Sequence, residues 1–127
     1  MEYKHKELTH AVIGCAMQVH RTLGAGFPEV VYQRSLALEL EAAGIAFQRE
    51  IVMPLFYRER EVGSRRADFM IEGCVLVELK AVSEITPLHQ QQIINYLKAY
   101  QLEIGLLLNF GEASLQFRRF IRTSGNA

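Results

Sequence analysis

The sequence predicts an α/β fold: a mixed sheet of about five strands flanked by helices, in the order α-α-β-β-β-α-β-β. Three observations predict it: apolar residues at helical spacing near the N-terminus, loosely alternating segments in the middle, and a nearly all-apolar run over 104–110. The chain has 127 residues, of which 50% are hydrophobic, so it can bury one core without disulfides. We therefore expect one domain over residues 1–127, with a frayed tail at 123–127.

The first two elements are predicted to form a helical hairpin. Apolar side chains recur at helical spacing from Leu8 to Leu23, and Gly24-Ala25-Gly26 ends this helix. Pro28 suits the first turn of a second helix that runs to about residue 43 and closes at Gly44.

The remaining elements follow from alternation and turn residues. Residues 45–57 predict a strand, which Pro54 places at an edge or a bulge. A polar turn over 58–64 leads into two short strands, 66–71 and 75–82. Thr86-Pro87 opens a helix to about residue 101, and strands follow at 104–110 and 115–121.

Composition limits the partners of the chain. Lys+Arg and Asp+Glu both count 14, so no overall field attracts a polyanion, and a nucleic acid must be held locally. Arginines cluster over 58–66 and 118–122, where they either contact phosphate or form solvated faces. Without a run of roughly 20 apolar residues or the apolar core of a secretory signal, we expect a soluble cytoplasmic protein with no membrane partner, whose Cys15 and Cys74 are reduced.

The run Val75-Leu76-Val77-Glu78-Leu79-Lys80 turns from apolar to charged on one face. Side chains alternate along a strand, so Glu78 and Lys80 share the face of Leu76. Charges on a central strand are costly unless they are paired or bound to a metal. The alternative is a surface ion pair between Glu78 and Lys80 on a strand exposed on one face.

A third charge, Asp68, is predicted to lie opposite Glu78. If Glu72-Gly73-Cys74 is a three-residue loop, Ile71 pairs with Val75 and the two carboxylates meet across the strands. A two-residue turn would set Asp68 against Val77 instead. A divalent cation turns the repulsion of two carboxylates into binding, and oxygen ligands suit Mg²⁺ or Mn²⁺. Lys80 is then placed to position the attacking water or to stabilise charge at a phosphate.

The spacing of these residues resembles the signature of the PD-(D/E)XK nucleases, with Asp68 followed by Glu78-Leu79-Lys80 on the next strand. Ala67 stands where the superfamily name has proline. More narrowly, Val19-His20-x-x-Leu23-Gly24-x-Gly26-x-x-Glu29-x-x-Tyr32, together with Arg66-Ala67-Asp68 and Val77-Glu78-Leu79-Lys80-Ala81-Val82, is similar to the GxxExxY family. The resemblance implies a restriction-endonuclease-like core, Asp68 and Glu78 as metal ligands, and Lys80 as the catalytic lysine.

Three further residues are candidates for the same site. Glu29 is either an additional metal or water ligand, as the resemblance implies, or an acid that complements the dipole of a helix's first turn. Gln92 and Tyr96, four residues apart, resemble the Gln-x-x-x-Tyr element of RecB-type members, where the pair contacts substrate; Tyr96 could instead pack beside the core. His20 has no second histidine at ligand spacing and is expected to be structural.

These features predict a nuclease that uses Mg²⁺ or Mn²⁺ and acts on nucleic acid, with DNA as the expected substrate. A domain of this size has little room to read sequence, so we expect specificity to come from a homodimer or a partner protein. The alternative is a catalytically silent module that keeps the nuclease fold for partner binding or assembly, an idea motivated by the neutral net charge.

Overall fold

The computed structural model describes residues 5–122 and has the predicted order of elements. The helices and strands are α1 Lys6–Leu23, α2 Glu29–Ala42, β1 Phe47–Tyr57, β2 Arg60–Ile71, β3 Val75–Lys80, α3 Pro87–Ala99, β4 Ile104–Asn109 and β5 Gln116–Ile121. The tail expected at 123–127 lies outside the described residues. Within the range described, no helix combines the length and apolar character needed to cross a bilayer.

The helix boundaries follow from local chemistry. Gly24 ends α1 in the left-handed region, with φ 73°, and its N–H donates to the carbonyl of His20 at 2.8 Å. Thr86 caps α3, because its Oγ1 accepts from the N–H of His89 at 3.4 Å while Nδ1 of His89 accepts from the N–H of Thr86 at 3.1 Å. Pro87 then occupies the first turn of α3, where no backbone donor is needed.

The five strands form one mixed sheet in the spatial order β1-β2-β3-β4-β5. Strands β3 and β4 run parallel, and the other neighbours are antiparallel. Helices α1 and α2 pack on one face of the sheet, where Tyr32 and Leu36 meet Val77. Helix α3 covers the other face, where Ile93 meets Leu76. This layering buries β3 and β4 on both faces, and it makes any charge on β3 expensive.

The β1–β2 hairpin is longer than predicted. The polar turn expected over 58–64 is wrong: the turn is confined to Arg58 and Glu59, both with positive φ, and β2 begins at Arg60. Strand β2 pairs with β3 only over Phe69–Ile71, so the outer part of the hairpin continues as a two-stranded ribbon. Both faces of this ribbon are largely open to solvent, and the alternation that marks a half-buried strand is therefore missing from its sequence.

Strand β3 also ends earlier than predicted, at Lys80 rather than Val82. The backbone of Val82 bonds to the side chain of Asn109 instead of a neighbouring strand: its N–H donates to Oδ1 at 3.0 Å, and its carbonyl accepts from Nδ2 at 3.0 Å. Asn109 is fully buried at the end of β4 and fixes where the chain leaves the sheet.

Candidate active site

Strands β2 and β3 pair in the register predicted from a three-residue loop. The observed pairs are Ile71 with Val75, Met70 with Leu76 and Phe69 with Val77. The pairing ends there, and Asp68 and Glu78 are the next residues on the two strands. The predicted register of a three-residue loop is confirmed, and the N–H of Asp68 donates to Oε2 of Glu78 at 3.4 Å.

The carboxylates of Asp68 and Glu78 each accept a hydrogen bond from the backbone of the neighbouring strand. Oδ2 of Asp68 accepts from the N–H of Leu79 at 2.8 Å, and Oε2 of Glu78 accepts from the N–H of Asp68 at 3.4 Å. The N–H groups of Asp68 and Leu79 thus donate to side-chain carboxylates of the opposite strand rather than to backbone carbonyls. The orientation of both side chains is therefore tied to the backbone of the sheet.

Asp68 lies where the side chains of β2 change face. Ala67 packs with the α3 side of the sheet, whereas Phe69 packs with the side of α1 and α2. On β1 the flanking pairs are Arg49 with Phe69 and Ile51 with Ala67, and Glu50 between them has φ 55°. This irregularity changes the direction in which the side chain of Asp68 points, as β-bulges do beside active sites.

The second oxygen of Asp68 is held by α2. Nε2 of Gln33, a buried side chain, donates to Oδ1 of Asp68 at 2.8 Å. Both oxygens of the carboxylate thus accept hydrogen bonds, one from the helix and one from β3. Such bonds fix the carboxylate in one rotamer before any ligand arrives.

Glu78 is nearly inaccessible, with 3% of its surface exposed, and forms an ion pair with Arg65 through Oε1. Burial first, and then the neighbouring charge of Asp68, raise the pKa of Glu78 to about 7, although the guanidinium of Arg65 opposes the change. The alternative of a surface pair between Glu78 and Lys80 is wrong, because Glu78 is buried and its ion-pair partner is Arg65.

Lys80, Gln92 and Tyr96 line one small pocket with Arg65 and Glu78. The pocket lies between the end of β3 and the helix α3, on the face where Glu78 and Lys80 were predicted to lie together. The ring of Tyr96 stacks under the guanidinium of Arg65, whose Cζ is 5.1 Å from the ring centroid. The structure therefore brings the predicted Gln92 and Tyr96 to the same pocket as Glu78 and Lys80.

Glu29 approaches the site from the other helix layer. It lies in the exposed first turn of α2, one turn before Gln33. Partial desolvation and then the charge of Asp68 raise the pKa of Glu29, while Lys80 and Arg65 lower it. Glu29 is thus within electrostatic reach of the site.

The donor chemistry of the site fits a hard divalent cation. Asp68 and Glu78 offer carboxylate oxygens, whereas sulfur and imidazole are the ligands of softer ions. Over residues 5–122, no group of three or more His, Cys, Asp or Glu side chains is arranged to hold a metal. A metal at this position would therefore be held by Asp68 and Glu78 and completed by water or substrate, as Mg²⁺ sites commonly are.

Sequence reasoning missed Gln33 and the partner of Glu78. The available signal for Gln33 was its position four residues after Glu29, which places the two side chains on the same face of a helix. Arg65 was considered only as a member of an arginine cluster. In the C-terminal cluster, Nε of Arg119 donates to Oγ1 of Thr9 at 3.2 Å and Nε of Arg122 to the carbonyl of Leu102 at 2.9 Å.

His20 is structural, as expected. Its Nε2 lies 2.9 Å from the carbonyl oxygen of Glu112, and its ring stacks against Phe110 at 6.3 Å between centroids. Cys15 and Cys74 are both free thiols, which agrees with the prediction of reduced cysteines.

The fold and the arrangement of Asp68, Glu78 and Lys80 define a class, the nucleases with a restriction-endonuclease-like core. Residues 6–120 match the family model of the PD-(D/E)XK nuclease superfamily, and the chain belongs to that superfamily. Its members are nucleases that generally use divalent metals and act on nucleic acid.

Solved structures that share the fold include two with low sequence identity to this chain. The crystal structure of SSO0001 aligns with a TM-score of 0.56 at 17% identity over 93% of this chain, which spans 59% of that protein. An alkaline exonuclease from Laribacter hongkongensis, LHK-Exo, aligns with a TM-score of 0.54 at 9% identity over 96% of this chain and 73% of its own. No functionally curated protein matches the sequence.

Proposed function

We propose that this protein is a metal-dependent nuclease that hydrolyses phosphodiester bonds in DNA, with Mg²⁺ or Mn²⁺ as its cofactor. One observation carries the proposal: the carboxylates of Asp68 and Glu78, on adjacent strands, each accept a hydrogen bond from a backbone N–H of the other strand. Lys80 lies two residues beyond Glu78 on the same strand. A central strand would not keep these charges for packing alone, because apolar residues of similar volume are usually at least as stable there.

The roles follow from position. Asp68 and Glu78 hold the metal, and their hydrogen bonds keep the oxygens fixed. When bound, a divalent metal supplies an activated water and a positive charge for the pentavalent transition state. The ammonium of Lys80 orients the attacking water or offsets charge on the phosphate.

Three residues assist from the rim. Gln92 and Tyr96 face the pocket from α3 and contact the substrate backbone, and Glu29 binds water beside the metal from the side of α2. We further propose that the chain is a GxxExxY-type member of the superfamily, that it is cytoplasmic, and that a homodimer or a partner protein supplies specificity.

The test is a calorimetric titration of Mg²⁺ and Mn²⁺ into the wild type, Asp68→Asn and Glu72→Gln. Glu72 lies exposed in the β2–β3 loop, so its variant removes the same charge without touching the site. We expect binding to the wild type and Glu72→Gln and loss of binding in Asp68→Asn. Cleavage assays with single- and double-stranded DNA and RNA then test the reaction and the substrate.

One observation favours the alternative of a silent module that acts through a protein partner. Arg65 already neutralises Glu78, so the site is partly satisfied without a metal. If neither metal binds the wild type and no nucleic acid is cut, this alternative replaces the nuclease proposal.

A further inference from the structure

Arg65 holds the oxygen that a metal at this site would need. Its guanidinium pairs with Oε1 of Glu78, whose side chain is 4% exposed, whereas that of Arg65 is 31% exposed. The other oxygen of Glu78 already accepts from the N–H of Asp68. A cation that binds between the two carboxylates must therefore compete with the guanidinium.

The surroundings of Arg65 suit an arginine that changes partner. The ring of Tyr96 supports the guanidinium plane from one side. Nε of Arg65 is buried and has no hydrogen-bond acceptor among the described residues. The guanidinium has five N–H donors, and its planar fork matches the oxygens of a phosphate in a bidentate geometry. Because Nε is buried in the metal-free structure, an acceptor from outside the chain can reach this donor only after the guanidinium moves away from Glu78.

We propose that Arg65 occupies the cation position on Glu78 in the metal-free protein and transfers to a substrate phosphate when the metal binds. This inference rests on the proposed nuclease function and deepens it. Arg65 would act twice: its charge offsets the repulsion of the carboxylates before binding, and its fork then positions the phosphate beside Lys80. The pocket lined by Arg65, Lys80 and Gln92 has a volume of about 10 Å³, which is room for about one water, so the phosphate would lie at its mouth.

The experiment compares the wild type, Arg65→Gln and Arg66→Gln. Arg66 is the next residue on β2 and is exposed, so its loss removes the same formal charge without removing the ion pair. Mg²⁺ affinity is measured by calorimetry at about pH 8.5, where protons compete less for Glu78. Binding of a short labelled DNA duplex is measured by fluorescence anisotropy with Ca²⁺ present.

We expect Arg65→Gln to bind Mg²⁺ roughly tenfold more tightly than Arg66→Gln, because the competing cation is gone. We expect the same variant to bind the duplex roughly tenfold more weakly, because the fork for phosphate is lost. Equal or weaker Mg²⁺ binding would overturn the competition. Tighter Mg²⁺ binding with unchanged duplex binding would overturn the transfer to phosphate.

The measurements distinguish failure of this inference about Arg65 from failure of the nuclease proposal. If none of the three proteins binds Mg²⁺, the metal site itself is refuted and the role of Arg65 falls with it. If Arg65→Gln does not fold, the wild type provides the test: the NMR signal of the Arg65 Nε–H group should shift on addition of Mg²⁺, and it should not shift in Asp68→Asn. An unchanged signal in the wild type would overturn the proposal.

Discussion

The ionisation of Glu78 should make the metal-free protein less stable as the pH rises. The pKa of this carboxyl is raised from 4.5 to about 7 in the folded chain, so the folded state binds a proton more tightly than the unfolded state does. Well below pH 4.5 the carboxyl is protonated in both states, so stability does not change with pH there. Between 4.5 and about 7 the folded state retains the proton that the unfolded state has lost, and stability falls as the pH rises.

The magnitude follows from the size of the shift. At about 1.36 kcal/mol per pH unit, the shift corresponds to about 3 kcal/mol of stability lost between about pH 4.5 and pH 8. Solvent screening reduces this little, because the Glu78 side chain is only 4% exposed. Glu78→Gln cannot ionise and should lack this contribution.

The assay is urea unfolding of the wild type, Glu78→Gln and Glu72→Gln at several pH values without metal. Comparing the three pH profiles removes the contributions of the other acids, including Glu29. We expect the profile of Glu78→Gln to lack about 3 kcal/mol of the wild-type decline and that of Glu72→Gln to retain it. Parallel profiles for the wild type and Glu78→Gln would refute the link between burial, the neighbouring charge and the raised pKa.

The other predictions concern the support of the site and the backbone. Gln33→Leu should cost about 1–3 kcal/mol of unfolding free energy and weaken Mg²⁺ binding, because the half-buried carboxylate of Asp68 loses its donor. The change Arg34→Leu at the exposed neighbour should alter neither quantity, and urea unfolding and calorimetry measure both. Gly14→Ala should stabilise α1 by roughly 0.5–1 kcal/mol, since its new Cβ meets open space, and a higher melting temperature checks this. Gly111→Ala should cost more than about 3 kcal/mol in the same measurement, because its Cβ would clash with the backbone of Val82.

Sequence reasoning located the carboxylates because their signal is local. The alternation along 75–80 and the three residues of the loop are enough to bring Asp68 and Glu78 together. The order of elements was also predictable, since each helix and most strands carry their own periodicity. The pair of carboxylates could therefore be predicted because the residues that determine it are close together in the sequence.

The parts that were missed depend on distant or exposed residues. Gln33 reaches Asp68 from a helix 35 positions away in sequence, and nothing in the local pattern fixes that contact. The Arg65–Glu78 pair depends on the change of face at Asp68, which alternation alone does not predict. The outer hairpin was taken for a loop because an exposed ribbon has no buried face to set a period of two.

The hydrogen bond from Leu79 to Asp68 makes one backbone amide a reporter on the candidate site. In a regular ladder, the protection of an amide from hydrogen exchange depends on the opening of the strand pair. Here the N–H of Leu79 is held by a carboxylate, whose strength as an acceptor depends on its charge and on what else binds it. The exchange rate of the Leu79 amide should therefore change when the site is occupied. Comparison with the exchange rate of a β3 amide that bonds to a backbone carbonyl separates this effect from opening of the whole strand pair.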